Sequence, residues 1–254
     1  MFYHNINPVL LHIGPLEIRY YGLAYAIGFI LVYLYLKKSS NELKLKKEEV
    51  ENYTVMLALS VILSARIFYI LFYNLKFYLE KPLEMLMLWH GGLSFHGGLF
   101  GAVLMSYLYC KKKKLSFLKL ADHVIIPISF ALFLGRIANF INGELYGRIT
   151  SVPWAVKFPN AEGFRHPSQL YEAAKNLLIF FVLLPMKKRK LRDGIIFAVF
   201  LTLYGSIRFA LEFFREPEVY LIGLTMGQFL SLITLLVGGI ILLSLMKPLP
   251  KQSL

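Results

Sequence analysis

The sequence predicts an all-α, polytopic membrane protein with seven transmembrane helices and a small outward-facing cap. Two observations lead to this prediction. Hydrophobic residues make up 57% of the 254-residue chain, which is more apolar surface than a water-soluble domain of this length can bury. These residues also form long continuous runs without the alternation of barrel strands, and helices then remain as the structure that satisfies backbone polar groups in lipid.

Seven apolar runs are long enough to cross a hydrocarbon core of about 30 Å, which takes about 20 helical residues. They cover residues 20–36, 54–73, 92–110, 122–141, 170–186, 194–214 and 225–246. The first run lacks the basic start and small-residue cleavage site of a signal peptide, so we expect it to remain as a helix. Because the chain shows no internal repeat, we predict one integral membrane domain over residues 1–254.

Basic residues set the predicted orientation of these helices. Clusters of them follow the first, third, fifth and seventh runs: Lys37, Lys38, Lys44, Lys46 and Lys47, then Lys111 to Lys114, then Lys187 to Lys190 with Arg192, and finally Lys247 and Lys251. Because basic loops stay inside, we expect these regions and the C-terminus to be cytoplasmic and the N-terminus to lie outside. The formal net charge of +13 then reflects topology and contact with anionic head groups, so no nucleic acid partner is expected.

The longest connection, residues 142–169, is predicted to form the outward-facing cap. It is too long for a minimal link between helices, and its Trp154 suits the aromatic belt at a membrane surface. The single cysteine, Cys110, lies beside the cytoplasmic lysines. The sequence therefore offers no disulfide framework and no cysteine-based metal site.

Polar residues enter the end of the fourth run. Arg136, Asn139 and Gly143 fall at positions i, i+3 and i+7, which places them on one helix face. A guanidinium near the bilayer centre costs roughly 2.5–3.5 kcal/mol on insertion scales, so a chain that keeps one generally uses it to hold a charge or a partner. We expect this face to line a polar pocket, with Gly143 allowing a ligand or backbone to come close.

The sixth run carries a second polar stripe, made of Tyr204, Arg208, Glu212 and Arg215. Arg208 and Glu212 can pair along the stripe, and a structural ion pair would explain Glu212. A second intramembrane arginine besides Arg136 is harder to explain by scaffolding. Two guanidiniums that converge in a dry pocket repel each other unless an anion joins them.

Further polar residues flank the other runs. His96 lies between glycine pairs at the start of the third run, where it can handle protons or simply bond a backbone carbonyl. Tyr21 begins the first run and suits either an interfacial anchor or a ligand contact. Residues 166–172 enter the fifth run and can add hydrogen bonds at the pocket mouth, although Ser168 as an N-cap explains part of that pattern. Arg66, in the second run, is a candidate third arginine whose sequence neighbours indicate no role.

Residues 135–147 read Gly-Arg-Ile-Ala-Asn-Phe-Ile-Asn-Gly-Glu-Leu-Tyr-Gly. This run resembles the signature of the prolipoprotein diacylglyceryl transferase family, G-R-x-x-N-F-x-N-x-E-x-x-G, without departure. Shorter matches at 20–23, 94–98, 166–172 and 204–217 extend the resemblance over nearly the whole chain.

The resemblance implies a transferase of the bacterial plasma (inner) membrane. Such an enzyme moves the diacylglyceryl group of phosphatidylglycerol to the lipobox cysteine thiol in the signal peptide of a lipoprotein precursor, the first step of lipoprotein maturation. A thioether forms and glycerol 1-phosphate leaves. The resemblance implies no cofactor and no metal.

The same resemblance suggests roles for the polar residues. Arg136 and Arg208 would hold the phosphate and stabilise the charge of the leaving group. His96 would accept or relay the thiol proton, because the thiolate is the nucleophile; a water bound by an arginine is the alternative base. The expected substrate-binding residues are Arg136, Asn139, Glu144, Tyr21, Tyr204 and Glu212, the last by positioning Arg208.

Two other classes of protein stay open from the residues alone. A transporter of anions or lipid-linked solutes would also place arginines within the membrane, although the sequence lacks paired broken helices in repeated halves. A receptor-like seven-helix protein would share the topology with the N-terminus outside. It would not need two arginine-bearing helices that face one pocket.

Overall fold

The computed structural model describes residues 1–14, 16–217, 219–221 and 223–246, and most of them are helical. The helices are α1 (Tyr20–Lys38), α2 (Ser40–Leu43), α3 (Lys47–Tyr73), α4 (Leu75–Glu80), α5 (Phe95–Lys113), α6 (Phe117–Asn142), α7 (Ser168–Met186), α8 (Ile195–Leu211) and α9 (Met226–Met246). Short 3₁₀ helices cover Pro82–Leu86, Leu88–His90 and Glu212–Phe214. The strands are β1 (Phe2–Tyr3), β2 (Val9–Ile13), β3 (Leu16–Arg19), β4 (Val156–Lys157), β5 (Tyr220–Leu221) and β6 (Leu224–Thr225).

Each of the seven predicted apolar runs coincides with one long helix, which confirms the prediction of a mostly helical chain. Within the described ranges, five helices are long and apolar enough to cross a membrane: Tyr20–Lys38, Lys47–Tyr73, Phe117–Asn142, Ile195–Phe214 and Met226–Met246. The helices at the third and fifth runs, α5 and α7, have 19 residues each and more polar sequences. Lys247 and Lys251 of the last basic cluster lie outside the described residues.

The chain divides into two compact units. The second unit, Tyr33–Leu120, is built on the antiparallel pair α3 and α5. A Cβ at Gly97 or Gly101 would lie 2.5 Å from the carbonyl oxygen of Ser64 or Ser60, respectively. Glycine at both positions therefore lets the two backbones approach closely, as the glycine-rich sequence predicts.

The first unit comprises Met1–Val32 and the chain from Ala121 onward. Its helices α8 and α9 also pack as a close antiparallel pair, and a Cβ at Gly205 would lie 2.7 Å from the carbonyl oxygen of Ser231. Asp122 of α6 accepts hydrogen bonds from the backbone nitrogens of Gly194 and Phe197, at 2.7 Å each. A carboxylate at the start of α8 satisfies donors that the helix cannot pair itself.

The connection between α6 and α7 is folded and tied to the N-terminus. Its strand β4 pairs in parallel with β1, and the N-terminal ammonium donates to the Pro153 carbonyl at 3.0 Å. Gly147 forms an isolated bridge with Arg215, just after α8. The pairs β2–β3 and β5–β6 are antiparallel hairpins. None of these strands is predicted from the sequence, because two to five residues are too few for a periodic pattern to stand out.

Candidate active site

The end of α6 supplies the first polar residues of the candidate site. Arg136 and Asn139 lie one turn apart on this helix, and Asn139 is buried. The helix ends at Asn142, and Gly143 adopts a φ of +68°, the left-handed conformation common after a helix C-terminus. The i+7 spacing predicts Gly143 on the polar helix face, and this prediction is wrong because the helix ends one residue earlier. The group that comes close to it is the ring of His4, whose Cε1 would lie 3.3 Å from a Cβ.

A fully buried carboxylate, Glu172 of α7, joins the cationic side chains of the first unit. Its Oε2 lies 2.7 Å from Nζ of Lys175 and 3.8 Å from Nε of Arg136. Its Oε1 lies 3.0 Å from Nε of Arg208. The anion that two converging arginines require is thus supplied, at least in part, by the protein itself.

Arg208 is held from a second side by Glu212, its predicted partner at i+4. Glu212 is buried, accepts a hydrogen bond from the Thr225 hydroxyl at 2.9 Å, and lies 3.6 Å from Nε of Arg215. Gly227 makes room for it, because a Cβ there would overlap the carboxylate. With a carboxylate on either side, the guanidinium of Arg208 is fixed in position.

Arg136 is much less engaged. Among the described residues, its closest ionic partner is Glu172 at 3.8 Å, and no hydrogen bond of its guanidinium is present. Its side chain is 22% exposed, whereas that of Glu172 is fully buried. The planar donor fork of Arg136 is therefore the part of the site that is open to an incoming anion.

The cluster carries an excess of positive charge. Four cationic side chains surround two carboxylates, leaving two positive charges in excess; the six are Arg136, Lys175, Arg208, Arg215, Glu172 and Glu212. Nη1 of Arg215 is buried without a hydrogen-bond partner among the described residues, and the charges of Arg208 and Arg136 repel its guanidinium. Positive charge in such a poorly solvated place is relieved by an anionic ligand.

Asn139 and Glu144 form a second polar group beside the arginines. The side-chain nitrogens of Asn139 and Asn142 donate to the same carboxylate oxygen of Glu144, at 2.8 and 3.2 Å. The Ser168 hydroxyl donates to the Leu145 carbonyl at 2.9 Å. Ser168 is therefore not the predicted N-cap, a position that Pro167 occupies; its hydroxyl instead fastens the chain after α6 to the start of α7.

The two tyrosines of the prediction also lie in this part of the first unit. The Tyr21 hydroxyl is 3.2 Å from that of Tyr25 and within electrostatic range of Glu144 and Arg136. The centroid of the Tyr204 ring lies 3.7 Å from Nζ of Lys175 in α7. The first unit thus brings together the predicted residues Tyr21, Arg136, Asn139, Glu144, Tyr204, Arg208 and Glu212.

His96 belongs to the second unit, in the first turn of α5. Ser94 caps this helix by accepting a hydrogen bond from the Gly97 nitrogen at 3.3 Å. The ring of His96 is exposed within the described structure and contacts Phe95 edge-on. A purely structural role would give the ring a hydrogen bond to a backbone carbonyl. Among the described residues of this unit, no carbonyl forms that bond.

Arg66 has a structural role that its sequence neighbours do not indicate. It is buried, and its guanidinium lies 4.9 Å from the Tyr78 ring. The guanidinium donates to the backbone carbonyls of Glu84, Met85, Met87, Gly91 and Gly92. Arg66 therefore ties the segment that precedes α5 to α3, with carbonyl dipoles in place of a counter-ion.

Two members of the ion cluster receive no role from the sequence alone. Glu172 lies at the end of the 166–172 segment without an assigned partner, and Lys175 is not singled out at all. A signal for both is nonetheless present, because they are opposite charges three residues apart within a predicted membrane span. From the sequence, the two arginines Arg136 and Arg208 also have one assigned counter-ion, Glu212. A second carboxylate is needed to balance their charges.

Comparison with known proteins identifies the family of this chain. The family model described as prolipoprotein diacylglyceryl transferase matches residues 8–244. The chain is 44% identical over 247 residues to a protein of Geobacter sulfurreducens, covering 94% of this chain and 95% of the relative. It is 45% identical over 249 residues to a protein of Ehrlichia ruminantium (strain Welgevonden), covering 94% and 96%.

A third similar protein, from Idiomarina loihiensis, is 44% identical over 253 residues, which cover 96% of this chain and 95% of the relative. All three relatives are named phosphatidylglycerol–prolipoprotein diacylglyceryl transferase. Both the family model and these relatives extend over nearly the full chain. The chain belongs to the prolipoprotein diacylglyceryl transferase family.

Proposed function

We propose that this protein transfers the diacylglyceryl group of phosphatidylglycerol to the lipobox cysteine of lipoprotein precursors. The observation that carries the proposal is the buried cluster with two positive charges in excess, in which the fork of Arg136 is open to an anion. Phosphatidylglycerol presents such an anion, a phosphodiester at the membrane surface. The names of the relatives give both substrates.

The reaction forms one bond and breaks one. The cysteine thiolate attacks the glyceryl carbon that carries the phosphate, a C–S bond forms, and the C–O bond breaks with its electron pair on the phosphate oxygen. Glycerol 1-phosphate leaves with one more negative charge than the phosphodiester had. Arg208, which two carboxylates hold in place, stabilises that growing charge as a preorganised donor. Arg136 contributes its open donor fork.

The thiol proton needs an acceptor, and we assign it to His96. The support is the motif Ser94 to Gly98 and the exposed ring at the start of α5. Imidazole is suited to this step, since its charge changes near neutral pH and a cysteine is only partly ionised there. A water molecule bound by an arginine is the alternative base.

The remaining residues orient the lipid head group. Asn139, Glu144 and Tyr21 offer hydrogen-bonding groups beside Arg136, suited to the hydroxyls of the glycerol head group. Tyr204 takes part through its ring, which contacts the ammonium of Lys175 in α7. Glu212 positions Arg208.

The topology proposed for this enzyme places all the long helices across the bacterial plasma membrane as one integral domain. The five apolar helices support part of it. For α5 and α7, the alternation of lysine-rich and lysine-poor connections supports crossing. The N-terminus and the folded connection 142–169, which forms the cap, then lie outside, and the C-terminus is cytoplasmic.

An assay with both substrates tests the function. Detergent-solubilised protein is incubated with phosphatidylglycerol and a lipobox peptide, and the peptide is followed by mass spectrometry. We expect the peptide to gain one diacylglyceryl group, and a matched peptide with serine in place of cysteine to gain none. If the cysteine peptide stays unmodified while the protein binds phosphatidylglycerol or moves it across a membrane, a transporter or a receptor-like protein would be favoured.

A further inference from the structure

Lys175 is one of three members of the ion cluster, with Glu172 and Arg215, to which the transfer chemistry assigns no role. Its side chain is fully buried, with Nζ 2.7 Å from Oε2 of Glu172 and 3.7 Å from the Tyr204 ring centroid. A buried ammonium is costly unless it is paired. The chain keeps this one next to its only fully buried carboxylate among the described ion pairs.

Three cations compete for the two oxygens of Glu172. Nε of Arg208 lies 3.0 Å from Oε1 as an ion pair without hydrogen-bond geometry, whereas Nζ of Lys175 donates a hydrogen bond to Oε2 at 2.7 Å. Charge-assisted bonds between nitrogen and a carboxylate oxygen are about 2.7–2.9 Å long, so Arg136, at 3.8 Å from Oε2, stands outside bonding distance. The ammonium already occupies the side of the carboxylate that Arg136 would otherwise reach.

We propose that Lys175 is a positioning residue for phosphate binding. It satisfies Oε2 of Glu172, the oxygen nearest Arg136, and so prevents Arg136 from closing onto that oxygen, which leaves the guanidinium fork available to the phosphate of phosphatidylglycerol. Without Lys175, Arg136 forms an internal ion pair with Glu172 that lipid binding must break. The inference rests on the proposed function for the identity of the anion.

The predicted effect is on lipid affinity rather than on the chemical step. In Lys175→Met, we expect the KM for phosphatidylglycerol and the Kd for dioctanoyl phosphatidylglycerol, measured by calorimetry without peptide, to rise roughly tenfold or more, as loss of one charge-assisted contact implies. We expect kcat and the KM for the peptide to change by less than about threefold. Lys37→Met is the matched control, because Lys37 also lies over a tyrosine ring, that of Tyr33 at 5.1 Å, but at an exposed helix end.

A double variant separates this role from simple structural support. Glu172→Gln combined with Lys175→Met removes the carboxylate that would capture Arg136, so we expect most of the increase in KM and Kd to disappear. Equal increases in the single and double variants, or no increase in the single variant, would overturn the proposal. If the single variant fails to fold, the double variant is compared with Glu172→Gln alone, which lacks the same partner of Arg208. A Kd within about threefold of Glu172→Gln supports the proposal, and a larger increase overturns it.

The Kd measurement also keeps the two proposals apart. A parent protein that binds the lipid but transfers nothing would refute the proposed function. The Kd pattern of the variants would still decide the role of Lys175, because it does not depend on turnover.

Discussion

Arg136 and Arg208 differ in how they are held, and this difference predicts that their removal has different effects on stability. Replacing Arg208 by alanine leaves two buried carboxylates, Glu172 and Glu212, without their shared partner. Breaking a buried ion pair in this way costs about 3–5 kcal/mol. For a chain of this size, that corresponds to a fall of about 6–20 °C in the unfolding midpoint.

Replacing Arg136 by alanine removes one long contact, at 3.8 Å, and also removes a positive charge that repels Arg215. These terms oppose each other, so the change in unfolding free energy should stay within about 1 kcal/mol. Both variants should nonetheless lose transfer activity by roughly 10²–10³-fold, the usual effect of removing one preorganised donor. Arg136→Lys should lose activity as well, because an ammonium lacks the planar fork.

The assay compares turnover with thermal stability for the same purified variants. Turnover is measured with phosphatidylglycerol and a lipobox peptide, and stability by the fraction that stays monodisperse in detergent after heating. Near-normal turnover of Arg136→Lys and Arg208→Ala would refute the proposal that these two arginines hold the phosphate. Equal destabilisation by Arg136→Ala and Arg208→Ala would show that Arg136 is a structural member of the cluster.

Three further predictions concern topology, the base and the folded connection. With the single native cysteine replaced, a membrane-impermeant thiol reagent should label Trp154→Cys in intact cells but not Lys44→Cys or Lys188→Cys; the reverse pattern would contradict the proposed orientation. His96→Gln should slow transfer roughly 10²–10⁴-fold and remove the lower limb of the pH profile, with lipid Kd unchanged and partial rescue at higher pH. A normal rate and profile would make His96 structural. Gly147→Ala should lower the yield of folded protein and its unfolding temperature, because the new Cβ would overlap the backbone carbonyl of Phe214, just after α8. An unfolding temperature equal to that of the parent would show that the backbone around Gly147 can move to accept the methyl group.

Most of the helices could be predicted from the sequence because apolar runs of membrane length leave little choice of structure. Hydropathy marks the apolar part of a helix and misses its polar extensions. Helix α3 therefore begins at Lys47 rather than at the predicted residue 54, since its first two turns are charged and polar. The short strands escape prediction because two to five residues are too few for a periodic pattern, and the partners β1 and β4 also lie far apart in sequence.

The candidate site could be predicted only along single helices. The 3.6-residue period places Arg136 beside Asn139 and pairs Arg208 with Glu212, and the structure has both. Contacts between different helices leave no periodic pattern in the sequence, so they cannot be predicted in this way. Glu172 as the shared counter-ion of two arginines therefore becomes visible only in the fold.

The central claim is that the phosphate held by the arginine cluster leaves as a phosphomonoester while the diacylglyceryl group moves to the thiol. Phosphorus NMR of the solubilised enzyme with phosphatidylglycerol and lipobox peptide tests it most directly. We predict that the phosphodiester signal converts to that of glycerol 1-phosphate, with one equivalent appearing for each peptide that gains a diacylglyceryl thioether. Peptide modification with the phosphodiester signal intact, or phosphate retained on the modified peptide, would contradict the account.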